Sequence, residues 1–239
     1  MLDTSKIEYV QGNVVLEGYC AIDTKIPGKK PAVLVAHDWS GRNEFACQKA
    51  EQLAELGYVG FALDMYGIGQ IGKTVEEKSA LIAPLMQDRN LLRQRILAAL
   101  YTVKQLQAVD EKRIAAIGYC FGGACALDLA RSGADLRGVV SFHGLLDAPQ
   151  DLPSKKILAK VLALHGHEDP MVPPEKVALF QKEMTAAGVD WQMHIYGNTM
   201  HGFSNPQAHD ASTGILYKNS ADQRSWIAAK NFLKEIFTF

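Results

Sequence analysis

The chain has 239 residues, a formal net charge of −1, 48% hydrophobic residues and 21% charged residues. Basic and acidic side chains are balanced and form no block of like charge, which argues against a polybasic grip on nucleic acid or on an anionic lipid surface. No apolar run reaches the roughly 18 residues that a membrane-spanning helix needs. We therefore expect a globular protein without nucleic acid or membrane partners.

The cysteines and the first residues of the chain indicate its compartment. The four cysteines, Cys20, Cys47, Cys120 and Cys125, are too few for a disulfide scaffold and do not have metal-ligand spacing. The first segment, MLDTSKIEYVQGN, contains acidic residues and lacks the apolar stretch of a secretory signal. These features predict a reduced, cytoplasmic protein. We also expect that it needs no cofactor and no metal.

Apolar, β-rich runs alternate with helical patterns along the chain. Continuous apolar runs such as PAVLVA at 31–36 are typical of strands that are buried on both faces. The predicted strands are 13–22, 31–36, 58–63, 113–119, 138–142, 160–164 and 191–196, and the predicted helices are 43–56, 88–107, 121–131, 174–187 and 221–237. This alternation predicts an α/β fold, in which a mostly parallel central sheet has helices on both faces. Because no repeat or linker interrupts the pattern, we expect a single domain over residues 1–239.

The segment GYCFGG at 118–123 has the spacing of a nucleophile between two glycines. A predicted strand precedes it and a predicted helix follows it, which is the context that this motif requires. The glycines remove Cβ atoms that would collide where the two backbones come close, and the first amides of the helix favour a thiolate. We predict that Cys120 is a nucleophile and that Cys125, inside the helix, is a buried structural cysteine.

A thiolate nucleophile needs a base, and the base needs an acid that orients it. On this type of turn the partners follow along the chain as acid and then histidine. The segment HGHEDPMVPP at 165–174 offers Glu168 and Asp169, and the segment after the strand 191–196 offers His201. Both segments begin where a predicted strand ends, which is where open α/β sheets place their functional groups.

Three segments, GYCFGG at 118–123, HGHEDPMVPP at 165–174 and HGF at 201–203, resemble the dienelactone hydrolase (carboxymethylenebutenolidase-like) family of the α/β-hydrolase superfamily. The resemblance extends over nearly the whole chain. It implies an α/β-hydrolase fold and the hydrolysis of ester or lactone bonds through a covalent thioester. It also implies a Cys-His-Asp triad, with Asp169 rather than Glu168 as the acid.

The segment VLVAHDWSGRN at 33–43 leads from the first buried strand into the loop that follows it. By the family pattern, the backbone amides of Trp39 and Phe121 would form an oxyanion hole. The family also has a carboxylate, usually glutamate, that faces the thiol, and Asp38 stands at that position here. An alternative for Asp38 is a capping role for the following helix. We interpret His37 as a hydrogen-bonded loop residue.

Aromatic side chains at strand ends, Tyr66 and Phe203 among them, predict an apolar substrate pocket. The glycine-rich loop MYGIGQIGKT at 65–74 is a candidate for a mobile flap over it. Family members that act on dienelactone carboxylates bind the carboxylate with arginines, one of them four residues after the catalytic histidine. This chain has Asn205 there, and a neutral amide cannot replace a guanidinium. We therefore expect the substrates to be small molecules, namely neutral esters or lactones.

Three other functions remain open at this point. A neutral phosphotriester presents an electrophile to the same thiolate, and its P=O oxygen would fit an oxyanion hole. The segment 165–169 contains H-x-H-x-D, the start of a binuclear metal-hydrolase signature, although Pro170 stands where a further histidine would follow. His143 and His194 are the candidates to complete such a site. A non-catalytic ligand-binding module is the third alternative, because a fold alone does not fix a function.

Overall fold

A computed structural model describes residues 1–150 and 152–238 and has the α/β architecture that the sequence predicts. Its strands in chain order are Leu2–Gln11 (β1), Val14–Asp23 (β2), Lys30–Ala36 (β3), Val59–Leu63 (β4), Val109–Tyr119 (β5), Gly138–Phe142 (β6), Lys160–Gly166 (β7), Trp191–Tyr196 (β8), His209–Asp210 (β9) and Ile215–Leu216 (β10). Its α-helices are Glu44–Glu55 (α1), Val75–Gln87 (α2), Arg89–Lys104 (α3), Phe121–Arg131 (α4), Pro174–Ala186 (α5) and Asn219–Thr238 (α6).

The chain divides into two compact units, of which the first is Met1–Ile117 and the second begins at Gly118. In the first unit the strand order is β1-β2-β4-β3; β3 and β4 are parallel, and β1 and β2 form an antiparallel hairpin. In the second unit β6, β7 and β8 are neighbours in that order, and all of them are parallel. The single domain over residues 1–239 stays a prediction.

Strand β1 and helix α2 are among the elements that the sequence patterns miss. Strand β1 is mostly exposed, and it enters the sheet through a tight turn at Gly12, whose φ is 58°. Helix α2 has one buried side chain, Leu85, and an internal Pro84, so its apolar periodicity is weak. Its start could have been found from Thr74 and Glu77, which form a capping box in which each side chain accepts a hydrogen bond from the other's backbone N–H.

Helix α4 is buried along its whole length, Phe121–Arg131, and Cys125 lies inside it without solvent exposure, as predicted. The helix packs closely against the end of β6. A Cβ atom on Gly123 would lie 2.5 Å from Ser141 Oγ and 2.6 Å from Gly144 Cα. The glycine therefore allows the first turn of α4 and the end of β6 to approach each other, which fixes the position of the preceding turn.

Within residues 1–150 and 152–238, no helix combines the length and the apolar character that a membrane crossing requires.

Candidate active site

Cys120 occupies a strained turn between β5 and α4. Its backbone angles are φ 55° and ψ −115°, in a region that residues other than glycine rarely adopt. Its N–H donates to Phe142 O at 3.0 Å, and its carbonyl accepts from Gly123 N–H at 2.9 Å. A Cβ atom on Gly118 would overlap the carbonyl group of Gly122, so the turn requires a glycine at 118. The partly exposed thiol thus stands at the N-terminus of a buried helix, where the helix dipole favours negative charge.

Asp169 and His201 lie side by side in the same unit. His201 Nδ1 is 2.7 Å from Asp169 Oδ2, and each residue is only 2% exposed. The second oxygen of the carboxylate, Asp169 Oδ1, accepts from Met171 N–H at 2.9 Å. Glu168 is exposed. Of the two carboxylates that the sequence offers, the structure brings Asp169 to the histidine.

The backbone of His201 is held by a segment that the sequence analysis misses. His201 N–H donates to Gly214 O at 2.9 Å, and its carbonyl accepts from Leu216 N–H at 3.0 Å. These partners belong to the region that contains β9, a 3-10 turn at Ala211–Thr213 and β10. Each of its strands has only two residues, too short to give a periodic sequence signal.

The pKa of His201 is raised from 6.5 to about 10. Burial alone would lower this pKa, but the negative charge of Cys120 and the hydrogen bond to Asp169 outweigh it. In the described part of the chain, buried His201 Nε2 has no hydrogen-bond partner of good geometry, so we attribute the influence of Cys120 mainly to its charge at short range. The site therefore favours a protonated imidazole at neutral pH.

His143 is a further residue of this region, which the sequence analysis considers only as a metal ligand. It follows β6, is 2% exposed and has a positive φ of 38°. Its ring centroid is 5.2 Å from that of His201, and its Nε2 is hydrogen-bonded to Ser204 Oγ at 2.8 Å. Burial, together with the charge of His201, holds the pKa of His143 well below its usual value. A histidine at a strand end is the only sequence signal that marks it.

Two predicted pocket residues lie next to His201 along the chain. Phe203 is completely buried, and its ring contacts those of His143 and Tyr196 edge-on, with centroid distances of 5.0 Å and 5.6 Å. Asn205 is half-buried, and its Oδ1 accepts from Gln207 N–H at 2.9 Å. Phe203 thus belongs to a packed cluster of rings, and Asn205 stabilises the turn after the histidine. Their contact with a substrate stays a prediction.

Asp38 lies in the loop after β3 and is buried. Its Oδ1 accepts from Ser40 N–H at 2.8 Å, which stabilises a turn within the loop. Helix α1 is capped by a different residue, Asn43, whose Oδ1 accepts from Ala46 N–H at 3.2 Å. The alternative that Asp38 caps this helix is therefore wrong, because Asn43 is the residue in register with the first turn. A position of Asp38 opposite the thiol stays a prediction.

His37 links this loop to the loop after β4. Its Nδ1–H donates to Asp38 O at 2.6 Å, and its Nε2 accepts from Met65 N–H at 3.1 Å. The ring is buried and contacts Tyr66 edge-on, with a centroid distance of 4.8 Å. The prediction that His37 is a hydrogen-bonded loop residue is confirmed.

The candidate flap at 65–74 is joined by hydrogen bonds to the loop that carries Trp39. Tyr66 Oη donates to Trp39 O at 3.1 Å, and Gly72 N–H donates to Ser40 O at 2.9 Å. Tyr66 and Gly72 are buried, whereas residues 68–71 are exposed. Mobility therefore stays a prediction for residues 68–71, while these hydrogen bonds restrain the two ends of that stretch.

The metal-hydrolase alternative needs several ligands around the segment 165–169. Among residues 1–150 and 152–238, no group of three or more His, Cys, Asp or Glu side chains is placed to hold a metal ion. Asp169 already bonds to His201, and Glu168 is exposed. The geometry therefore gives this alternative no support.

The parallel strands, the strained strand-to-helix turn at Cys120 and the histidine–aspartate pair after later strands define an α/β hydrolase. The family model described as "Dienelactone hydrolase family" matches residues 16–237. The chain belongs to the dienelactone hydrolase family. The predicted family and fold are thus confirmed, and the chain is a dienelactone hydrolase-like hydrolase of esters or lactones.

Individual proteins show how far this similarity extends. The solved structure titled m3DLH is 37% identical, with a TM-score of 0.92 and coverage of 99% of both chains. The structure of the dienelactone hydrolase-like promiscuous phosphotriesterase P91, from metagenomic libraries, is 36% identical, with a TM-score of 0.93 and the same coverage. A protein of Aquifex aeolicus, provisionally named carboxymethylenebutenolidase, is 27% identical over 95% of this chain and 96% of its own.

Proposed function

We propose that this chain hydrolyses ester or lactone bonds of small, neutral molecules with Cys120 as nucleophile, His201 as general acid and base, and Asp169 as the acid that orients His201. The observation that carries the proposal is the buried 2.7 Å contact between His201 and Asp169. The same histidine has a pKa that the charge of Cys120 helps to raise, which links it to the strained nucleophile turn.

In the first step the Cys120 thiolate attacks the carbonyl carbon of the substrate and forms a tetrahedral oxyanion. As the oxyanion collapses, the bond from carbon to the leaving oxygen breaks, and protonated His201 donates its proton to that oxygen. An ester releases an alcohol at this stage, whereas a lactone ring opens and stays attached. Both leave a thioester on Cys120 and a neutral imidazole on His201.

In the second step a water molecule attacks the thioester carbonyl, and His201 Nε2 takes its proton. The carbon–sulfur bond then breaks, the carboxylic acid leaves, and the thiolate and the imidazolium are restored. Asp169 accepts a hydrogen bond from His201 Nδ1–H throughout, so Nε2 is the nitrogen that exchanges protons.

The family pattern supplies the remaining groups of the proposed mechanism. The backbone amides of Trp39 and Phe121 would stabilise the oxyanion in both steps. Asp38 would face the thiol in the free enzyme and influence its protonation. Asn205, in place of an arginine, would leave the pocket without a partner for a substrate carboxylate, which favours neutral substrates.

Removal of the thiol tests the proposal. Cys120→Ala is expected to abolish hydrolysis of a p-nitrophenyl ester, and Cys125→Ala, a change at the buried structural cysteine of the same helix, is expected to retain most of it. Both variants and the parent protein are assayed with and without a chelator. Activity that survives Cys120→Ala but disappears with the chelator would refute the thiolate mechanism and favour a metal-dependent one.

Phosphotriester hydrolysis is a second candidate function. It is supported by the similarity to P91, whose structure is titled as that of a promiscuous phosphotriesterase. The thiolate would attack phosphorus and expel a good leaving group, and water activated by His201 would then release the phosphoryl group from sulfur. An uncharged triester suits a pocket without strong cations better than an anionic monoester or diester.

The test follows p-nitrophenol released from paraoxon. Sustained release that disappears in Cys120→Ala and persists with a chelator is expected if the phosphorylated cysteine turns over. A burst of about one equivalent followed by no further release would mean that the compound only inhibits the enzyme, and it would refute this second function.

We also propose a cytoplasmic location. None of the four cysteines, which all lie in the described part of the chain, forms a disulfide, as is common in a reducing compartment. Fractionation of cells that express the tagged chain tests this proposal, and recovery of the chain outside the cytoplasm would refute it.

A further inference from the structure

The end of β6 joins several parts of the candidate active site. Phe142 O accepts from Cys120 N–H at 3.0 Å, which ties this strand end to the nucleophile turn. The next residue, His143, donates its N–H to Leu164 O on β7 at 2.8 Å, and β7 leads to Asp169. His143 adopts a positive φ of 38° while making this bond. A residue other than glycine keeps such a backbone only where its surroundings determine it, and such residues concentrate at functional sites.

The side chain of His143 is packed against the ring of His201. The two centroids are 5.2 Å apart, with an interplanar angle of 67°, and the ring of Phe203 contacts His143 at 5.0 Å and 79°. A hydrogen bond of 2.8 Å joins His143 Nε2 to Ser204 Oγ, and Ser204 is 1% exposed. The ring of His143 is therefore held by a hydrogen bond and by an aromatic contact.

The ring of His201 has a well-formed hydrogen bond at one nitrogen, and the charge of Cys120 also acts on the ring. Nδ1 bonds to Asp169, while buried Nε2 lacks a hydrogen-bond partner of good geometry in the described residues. A ring that is bonded at one nitrogen can turn about that bond and misplace the nitrogen that exchanges protons. A flat, uncharged ring beside it restricts this turn without competing for the carboxylate of Asp169.

We propose that His143 is a positioning residue, whose ring, oriented by Ser204, keeps the imidazole of His201 in the orientation that bonds to Asp169 and points Nε2 toward the reaction. The proposal rests on the proposed function of His201 as general acid and base. It assigns His143 no proton transfer and no contact with the reacting atoms.

Two substitutions separate the ring of His143 from its nitrogens. His143→Asn removes the ring but suits the backbone, because asparagine tolerates a positive φ. We expect its kcat to fall about 10- to 100-fold with KM within about threefold of the parent value, since a small displacement of a catalytic group costs rate rather than binding. His143→Phe keeps a flat ring without nitrogens and is expected to rescue most of the kcat. Tyr196→Leu, which removes the other ring that contacts Phe203, is the matched control and is expected to leave kcat unchanged.

A spectroscopic readout does not depend on turnover. The proton on His201 Nδ1, hydrogen-bonded to a buried carboxylate, gives a far-downfield resonance in the proton NMR spectrum. We expect this resonance to broaden or vanish in His143→Asn and to persist in His143→Phe and in the Tyr196→Leu control. Because the measurement uses resting protein, it tests His143 even if Cys120→Ala shows that the thiolate mechanism is wrong.

Clear outcomes would overturn the positioning role. One is a His143→Asn variant that keeps its kcat within twofold and its downfield resonance unchanged. Another is a His143→Phe variant as impaired as His143→Asn when Ser204→Ala keeps its kcat, which would mean that a nitrogen of His143 acts directly and not through its bond to Ser204. If His143→Asn does not fold, Ser204→Ala decides: a fall in kcat of about threefold or more supports the role, and an unchanged kcat and resonance refute it.

Discussion

Replacement of Asp169 by asparagine tests directly whether the carboxylate of Asp169 orients His201. In the parent protein one carboxylate oxygen accepts from Met171 N–H and the other accepts from His201 Nδ1–H. The amide of asparagine has one acceptor, its carbonyl oxygen, which the backbone N–H of Met171 keeps occupied. The NH₂ group then faces His201 Nδ1 and donates to it, so the neutral imidazole must carry its proton on Nε2. An imidazole in that tautomer cannot take a proton from the thiol or from water.

The distance between the two groups sets the size of the effect. Two unit charges separated by 2.7 Å attract each other by about 6 kcal/mol at an effective dielectric constant of about 20. Each tenfold change in rate corresponds to about 1.4 kcal/mol of activation free energy. If the transition state lost the whole attraction, kcat would fall about 10⁴-fold, which is the upper limit of the effect. We expect a fall of about 10³- to 10⁴-fold. The pKa of His201 should also drop below about 10, because burial continues to lower it and the carboxylate no longer raises it.

The assay compares kcat for a p-nitrophenyl ester in Asp169→Asn and in Glu168→Gln. The second variant changes the exposed neighbouring carboxylate and should keep kcat within about twofold, since exposed charges contribute little. Thermal unfolding of both variants verifies that they are folded. A kcat within tenfold of the parent value for Asp169→Asn, or a larger loss for Glu168→Gln, would show that the buried pair does not orient the base.

Three further predictions concern the thiol, the substrate and the turn. Iodoacetamide should label Cys120 before Cys20, because burial raises the pKa of Cys20 to about 11 and so lowers its reactive thiolate fraction. Mass spectrometry of the labelled peptides checks that Cys120 is labelled first, and faster labelling of another cysteine contradicts the prediction. Asn205→Arg should raise the ratio of kcat/KM for acidic lactones to kcat/KM for neutral lactones, by an amount that corresponds to about 1 to 3 kcal/mol of transition-state stabilisation. An unchanged ratio would place residue 205 outside the pocket. Gly118→Ala should lower the free energy of unfolding by about 3 kcal/mol or more through overlap with the next turn. Gly197→Ala, with open space at its Cβ position, should change it by less than about 0.5 kcal/mol, and equal effects in denaturant titrations would contradict the steric argument.

The strained turn at Cys120 could be predicted from the sequence because its requirements are local, whereas the role of Cys120 as nucleophile stays a prediction. A strand, two glycines, a cysteine and a helix occupy consecutive positions, and the overlap that a side chain at Gly118 would cause involves residues four or five positions away. The choice of acid is different, since Glu168 and Asp169 are adjacent and both follow β7. Only burial and the direction of each side chain distinguish them, and the sequence supports Asp169 only through the family resemblance. The oxyanion hole at Trp39 and Phe121 likewise rests on the family pattern, and it stays a prediction.

The parts that the sequence could not predict depend on long-range contacts or on elements with weak patterns. The backbone support of His201 is a case of the first kind, because it comes from Gly214 and from β10, a two-residue strand that has no periodicity of its own. His143 is another, since its hydrogen bond to Ser204 spans 61 positions. In the linear sequence a histidine after β6 is equally compatible with a metal ligand, a proton carrier or a packing residue. Its positive φ and its contact with His201, neither of which can be read from the sequence, are the observations that support the positioning role that we propose.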